Sequence, residues 1–200
     1  MHTEFSIKDG MLNPKKVVHK AIASGMKALA ITDATAMFGD VIFYKAASAA
    51  GIKPILGADC SITNHYNRDD YLRLLFLARN HQGYLTLCDL LSRAWLTNQY
   101  KDRGEVDLDW ITPEMADGLI VLSGFNTGAI GKAILNGSSS AAEQEARRLS
   151  QKFPHFFMEL QRVGRPNDEM LVAESVKLAK KLGLPVVATP VSYTHLTLPT

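Results

Sequence analysis

Cysteine is scarce in this sequence: Cys60 and Cys88 are the two among 200 residues, and they form no CxxC. A disulfide scaffold and a cysteine-built zinc site are thereby excluded, and two ordinary half-buried thiols in a reducing, cytoplasmic compartment are expected. Charge of one sign is missing as well. Lys and Arg number 22 against 20 Asp and Glu, interspersed, so a net charge of +2 gives no electrostatic case for nucleic-acid binding by this segment. No apolar run approaches the roughly 18 residues of a membrane span, which argues against a membrane partner. The opening MHTEFSIKDGM lacks the basic-then-apolar pattern of a signal peptide. Gly124, Gly128 and Gly131 follow a strand pattern, but their spacing is neither GxGxxG nor a Walker loop, so they read as a tight strand-to-helix turn. The histidines form no HxH or HxxxH pair of the kind that ligates metal.

What is present is a chain long enough to bury a continuous core, with 46% hydrophobic and 21% charged residues. Six short β-type runs stand out: Ala28 to Thr32, Lys53 to Ile62, Leu72 to Ala78, Leu119 to Ser123, Phe156 to Gln161 and Pro185 to Thr189. Several are nearly continuous apolar runs, as in parallel strands buried on both faces. Helical patterns alternate with them. Asn13-Pro14 is an N-cap followed by proline at the first helical position, and Val17, Val18, Ala21 and Ile22 make one stripe. A helix with the stripe Leu171, Val172, Ser175, Leu178, Ala179 and Leu182 stops at Gly183 after Lys180 and Lys181. Further helices are expected over 40–50, 83–95, 128–135 and 141–153, with Asn136 to Ser140 as a loop. The polar segment Asn98 to Pro113 reads as a long surface excursion. This alternation predicts a parallel α/β architecture, an open sheet or a barrel, and the missing phosphate loop favours the barrel.

Carboxylates at strand ends are the natural candidates for chemistry. Asp33 and Asp59 end strands, and Asp9 closes the opening loop; converging at one mouth, they could hold a divalent ion. Each could equally cap a turn or helix. His19, His65, His81 and His155 read as isolated surface or half-buried residues, whereas His2 precedes Thr3, Ser6 and the Asp9-Gly10 turn.

The blocks HTEFSIKDGM, ALAITDATAMFGDVIFYKAASAAGIKPILGAD, LLFLARNHQGYLTLCDLLSRAW, DGLIVLSG, FFMELQRVGRP and GLPVVAT resemble, in that order, the N-terminal PHP (polymerase and histidinol phosphatase) domain of bacterial DNA polymerase III alpha subunits. The resemblance extends from His2 to about Thr189 and implies a distorted seven-stranded β/α barrel. Metal-binding members carry His, Asp, Glu and Cys ligands at the strand ends, which activate water against phosphate esters. Position by position, the resemblance implies a depleted set here. His2 is the second histidine of the opening pair, Asp9 an acidic member of the same motif, and Asp59 stands for a glutamate. The other implied ligands are Ala34, Arg73, Phe125 and Val163, and a final Asn-Asp-x-His reads Pro190-Val191-Ser192-Tyr193.

The expectation is therefore a domain with no catalytic residue, no cofactor and no metal, in which His2, Asp9 and Asp59 are vestigial positions. The resemblance further implies a parent polymerase using Mg2+ in later domains, which also contact the DNA. Its implied partners are the proofreading exonuclease and other replicase subunits. It places a further strand before His2, so that Met1 reads as an internal residue. It also makes residues 1–189 the domain and VSYTHLTLPT a foreign tail whose His195 carries no weight.

Overall fold

The computed structural model describes residues 1–6 and 10–189; Asp9 and the segment 190–200 lie outside the described residues. Among the described residues eight strands occur: β1 (Ala28–Ala34), β2 (Lys53–Ile62), β3 (Leu72–Ala78), β4 (Gln99–Tyr100), β5 (Arg103–Gly104), β6 (Leu119–Leu122), β7 (Phe156–Leu160) and β8 (Val186–Ala188). Seven α-helices are interleaved with them: α1 (Pro14–Ala23), α2 (Asp40–Ala49), α3 (His81–Thr97), α4 (Pro113–Asp117), α5 (Ala129–Leu135), α6 (Ser139–Lys152) and α7 (Asp168–Leu182). Six strands form one curled sheet in the order β1-β2-β3-β6-β7-β8, a half-barrel, and β4 and β5 make a small separate hairpin. All six strands expected from the apolar runs are in the main sheet.

Their directions correct the all-parallel expectation. Pairs β1/β2, β6/β7 and β7/β8 are parallel, but β3 runs antiparallel to both β2 and β6. The link from β2 to β3, residues 63–71, contains no helix, and a short helix-free connection returns the chain alongside itself rather than over the sheet. The reversal has a consequence for the site: the start of β3, with Arg73, lies beside the end of β2.

Capping follows the residues that signalled it. Asn13 Oδ1 accepts from the backbone nitrogens of Lys15 and Lys16 at 3.2 and 3.3 Å, and Gly183 takes the left-handed φ of 66° that ends α7. Helix α3 starts two residues before its expected position because Asn80 caps it, accepting from Gly83 N at 2.9 Å. Of the first stripe, Val17, Val18 and Ala21 are buried, whereas Ile22 is exposed. Two apolar cores result. The larger packs α3, α5, α6 and α7 on the sheet, with Phe76 and Phe153 edge to face at 5.9 Å; the smaller joins α1, α2 and β1 through Val17, Ile31 and Phe43. Cys60 is buried and Cys88 half-buried, both free.

The segment 98–113 is not the surface excursion its polarity suggested. Val106 is fully buried and extends the sheet beyond β2, donating to Ser61 O at 2.8 Å and accepting from Thr63 N at 3.0 Å. Beside it Glu105, also fully buried, is bonded by Arg68 at 2.9 Å and Arg103 at 2.8 Å. Two guanidiniums on one carboxylate make burial of that charge tolerable. No helix among the described residues is long and apolar enough to cross a membrane.

Candidate functional site

A cavity of about 390 Å³ opens at the end of the half-barrel where β1 and β2 finish and β3 begins, lined among others by His2, Ala34, Asp59 and Arg73. The backbone at Met1 positions His2 there: Met1 N donates to Ala30 O at 3.2 Å, and Thr32 N donates to Met1 O at 2.9 Å, a parallel-type pairing along β1.

Asp59 is the centre of the arrangement. His2 Nε2 lies 3.0 Å from Asp59 Oδ2, and Arg73 Nε donates to Oδ1. Burial raises the Asp59 pKa, but the Arg73 charge and the hydrogen bonds from His2 and Arg73 outweigh it, so the carboxyl stays below the usual carboxylate range. Asp59 is therefore an ionised group with a protein partner on each oxygen. Arg73 sits opposite Ser61 and Asp59 opposite Leu75, so the pair meets diagonally on one face of the β2/β3 ladder.

Asp33 does not converge with Asp59. The residue paired with Asp59 is Ala34, and side chains alternate along a strand, so Asp33 is directed to the other face. There Thr3 donates to it from its backbone N (2.5 Å) and Oγ1 (2.7 Å), and Ser6 Oγ donates at 2.8 Å. Ser6 Oγ in turn accepts from Ala34 N at 3.0 Å. Asp33 thus ties the opening loop to β1. Gly10 helps close that loop, since a Cβ there would lie 1.7 Å from Thr3 O.

Three of the positions the resemblance marked for other ligands hold hydrocarbon. Ala34 lines the cavity, Phe125 is buried, and Val163 is exposed with its N donating to Asp168 Oδ2 at 3.0 Å. The glycine turn is as tight as its spacing suggested: Gly124 has φ 77°, and a Cβ there would lie 2.2 Å from Arg73 O. It carries Asn126 and Thr127 to the cavity wall. His19 and His81 are exposed, and His155 is half-buried beside Asp117 at 3.4 Å. Among the described residues, one group of three His, Asp or Glu ligand atoms lies within 4.8 Å of one another, His65, Asp107 and Asp109. None of the three lines this cavity, and Asp107 already caps a turn by accepting from Asp109 N at 3.0 Å.

Sequence reasoning missed Arg103, Arg165, Tyr71 and Trp95, which also line the cavity. Arg103 and Trp95 belong to, or lead into, the segment taken for a surface excursion. Trp95 Nε1 donates to Thr35 O at 2.8 Å, pinning its ring beside the mouth. Also missed was Asp40, fully buried at the start of α2 with neither carboxylate oxygen hydrogen-bonded.

A curled α/β sheet with an acid–imidazole–guanidinium cluster at its mouth defines an α/β protein of the barrel type. Two solved structures share the fold. An amidohydrolase from Chromobacterium violaceum, with bound sulfate and no metal, aligns at TM-score 0.63 and 14% identity over 92% of this chain and 83% of its own. A protein from Bifidobacterium adolescentis, provisionally described as a metal-dependent phosphoesterase, aligns at TM-score 0.58 and 13% identity over 94% and 84%. The chain belongs to the PHP domain family, whose profile matches residues 1–163. Among its relatives are DNA polymerase III subunits alpha: 46% identical over 195 residues in Neisseria meningitidis serogroup B, and 40% over 190 residues in Escherichia coli K12. In each case 94% of this chain is matched, but it spans only 17% and 16% of the relative.

Proposed function

We propose that this chain is the PHP domain of a bacterial DNA polymerase III alpha subunit, working in the cytoplasm, and that its barrel is a non-catalytic support and docking surface for the proofreading exonuclease subunit. The observation that carries the first part is identity of 46% and 40% across nearly the whole chain to proteins of that name. Nucleotide addition, with its Mg2+ ions and its DNA contacts, belongs in this reading to domains outside the segment.

The residues present do not fit a divalent ion at the mouth. A metal requires several lone pairs aimed at one point. Here His2 and Arg73 occupy Asp59, Thr3 and Ser6 occupy Asp33, and Ala34 and Phe125 offer no donor atom. Arg73 adds a positive charge where a cation would sit. The barrel nevertheless keeps its strands, caps and core, which supports a role for its surface rather than for chemistry.

The test pairs elemental analysis of the gel-filtered protein with titration calorimetry against the exonuclease subunit, with and without chelator. Less than a tenth of an equivalent of zinc or manganese, with chelator-insensitive binding and mild salt dependence, is the expected result. A full equivalent of retained metal, or binding abolished by chelator, favours the alternative: a metal-dependent phosphoesterase or 3′–5′ exonuclease.

A further inference from the structure

Among the described residues, His65, Asp107 and Asp109 bring three ligand-type side chains together outside the mouth, with their ligand atoms all within 4.8 Å of one another. Their meeting has a backbone cause. Val106 pairs in parallel with Ile62, donating to Ser61 O at 2.8 Å and accepting from Thr63 N at 3.0 Å. The two segments leave that pairing side by side and in the same direction. His65, shortly after Ile62, thus arrives beside Asp107 and Asp109, shortly after Val106.

The donor atoms are available, in contrast to those at the mouth. Asp107 divides its carboxylate: Oδ1 accepts from Asp109 N at 3.0 Å, while Oδ2 faces His65 Nε2 at 3.4 Å. The first bond fixes the direction of the second oxygen, as outer partners do for ligating carboxylates. Among the described residues no protein group is hydrogen-bonded to the Asp109 carboxylate. Arg148 lies within electrostatic reach of Asp109, but its guanidinium is bonded to Glu145 at 2.8 and 2.6 Å.

An imidazole nitrogen beside two carboxylates is a donor set that suits zinc, and two negative charges match a divalent ion. Bonds of about 2 Å place tetrahedral ligand atoms about 3.3 Å apart. The spacing of His65 and Asp107 already fits, and Asp109 is exposed and free to rotate the remaining distance. The His65 side chain is 63% exposed, so water can complete the coordination.

We propose that His65, Asp107 and Asp109 form an exchangeable zinc site, separate from the mouth, that clips the loop 63–71 to the short turn Leu108–Trp110. With three protein ligands and an open position, the ion leaves during gel filtration in metal-free buffer. Metal retained through gel filtration and metal bound here are therefore read by different experiments. The site goes beyond the support role and does not depend on exonuclease docking.

The experiment is titration calorimetry of the full chain, stripped with chelator and desalted, with zinc chloride alone as titrant and magnesium chloride as the comparison. Expected are one equivalent of zinc at micromolar affinity and magnesium weaker by about a hundredfold or more. His65→Ala should weaken zinc by about a hundredfold and Asp109→Asn by about tenfold, each at the melting temperature of the metal-free parent. His19→Ala, at an exposed histidine on α1, should bind as the parent does. No heat with millimolar zinc would overturn the proposal. So would His65→Ala and Asp109→Asn variants that bind as well as the parent, or an equal loss in His19→Ala.

Discussion

Replacing Asp40 by Asn should stabilise this protein at neutral pH and flatten the dependence of its stability on pH. Asp40 is the first residue of α2, fully buried, and neither of its oxygens has a hydrogen-bond partner. Burial, reinforced by the negative charge of Asp33, raises its pKa from 3.8 to about 8. The folded state therefore holds a proton that the unfolded chain releases near pH 4. Stability is highest below that unfolded value, falls by about 1.4 kcal/mol per pH unit as the pH rises, and levels off above the folded value. By pH 7 the accumulated penalty is on the order of 4 kcal/mol, a large part of a typical folding free energy. Asparagine has nearly the same shape and does not titrate, so the two proteins should be about equally stable near pH 4.5 and diverge as pH rises. For a chain of this length about 3 kcal/mol moves the melting temperature by roughly 6–12 °C. Urea and thermal unfolding of parent and Asp40→Asn between pH 4.5 and 8.5 measure the effect, and the difference between the two cancels titrations they share. A constant difference across that range would refute the reasoning, because it would mean Asp40 does not change protonation on unfolding.

Asp59→Ala removes the carboxylate shared by His2 and Arg73 and should cost about 3 kcal/mol by chemical denaturation at pH 7. Since the folded carboxyl titrates below its unfolded value, that cost should shrink as pH falls from about 4 through the folded pKa. Asn13→Ala deletes the acceptor for Lys15 N and Lys16 N and should cost about 1 kcal/mol in the same assay.

The six main-sheet strands and the termini of α1 and α7 were legible in the sequence because their signals are local: apolar runs, an Asn-Pro cap, a terminal glycine. Strand direction was not, since periodicity is the same in either sense; the helix-free stretch 63–71 was the available clue that β3 turns back. Asp33 illustrates a second limit. Its place at a strand end was visible, but the face it occupies depends on the pairing of Ala34 with Asp59, and a shift of one residue reverses it. Glu105 illustrates a third. Arg-Gly-Glu reads as solvated surface, and only the distant Arg68 reveals that the acid is buried and matched. His2 and Asp59 were marked by the family pattern, whereas Arg103, Arg165 and Trp95 carried no local signal for a shared cavity.

The logic of the mouth lies in how donors and acceptors balance. A metal centre needs surplus acceptors, lone pairs that nothing in the protein claims. Three acids at or near the mouth are each claimed by the protein: Asp33 by hydroxyls and a backbone nitrogen, Asp59 by an imidazole and a guanidinium, Glu105 by two guanidiniums. Among the described residues Asp40 and Oε2 of the buried Glu159 have no hydrogen-bond partner, and Asp40 is the acid whose proton the fold retains. Among the described residues the Arg165 side chain donates to amide oxygens and pairs with no carboxylate. The claimed carboxylates also brace the opening loop, β1, β2 and β3 against one another without an ion. In the proposed reading, that bracing is what lets the barrel serve as a support.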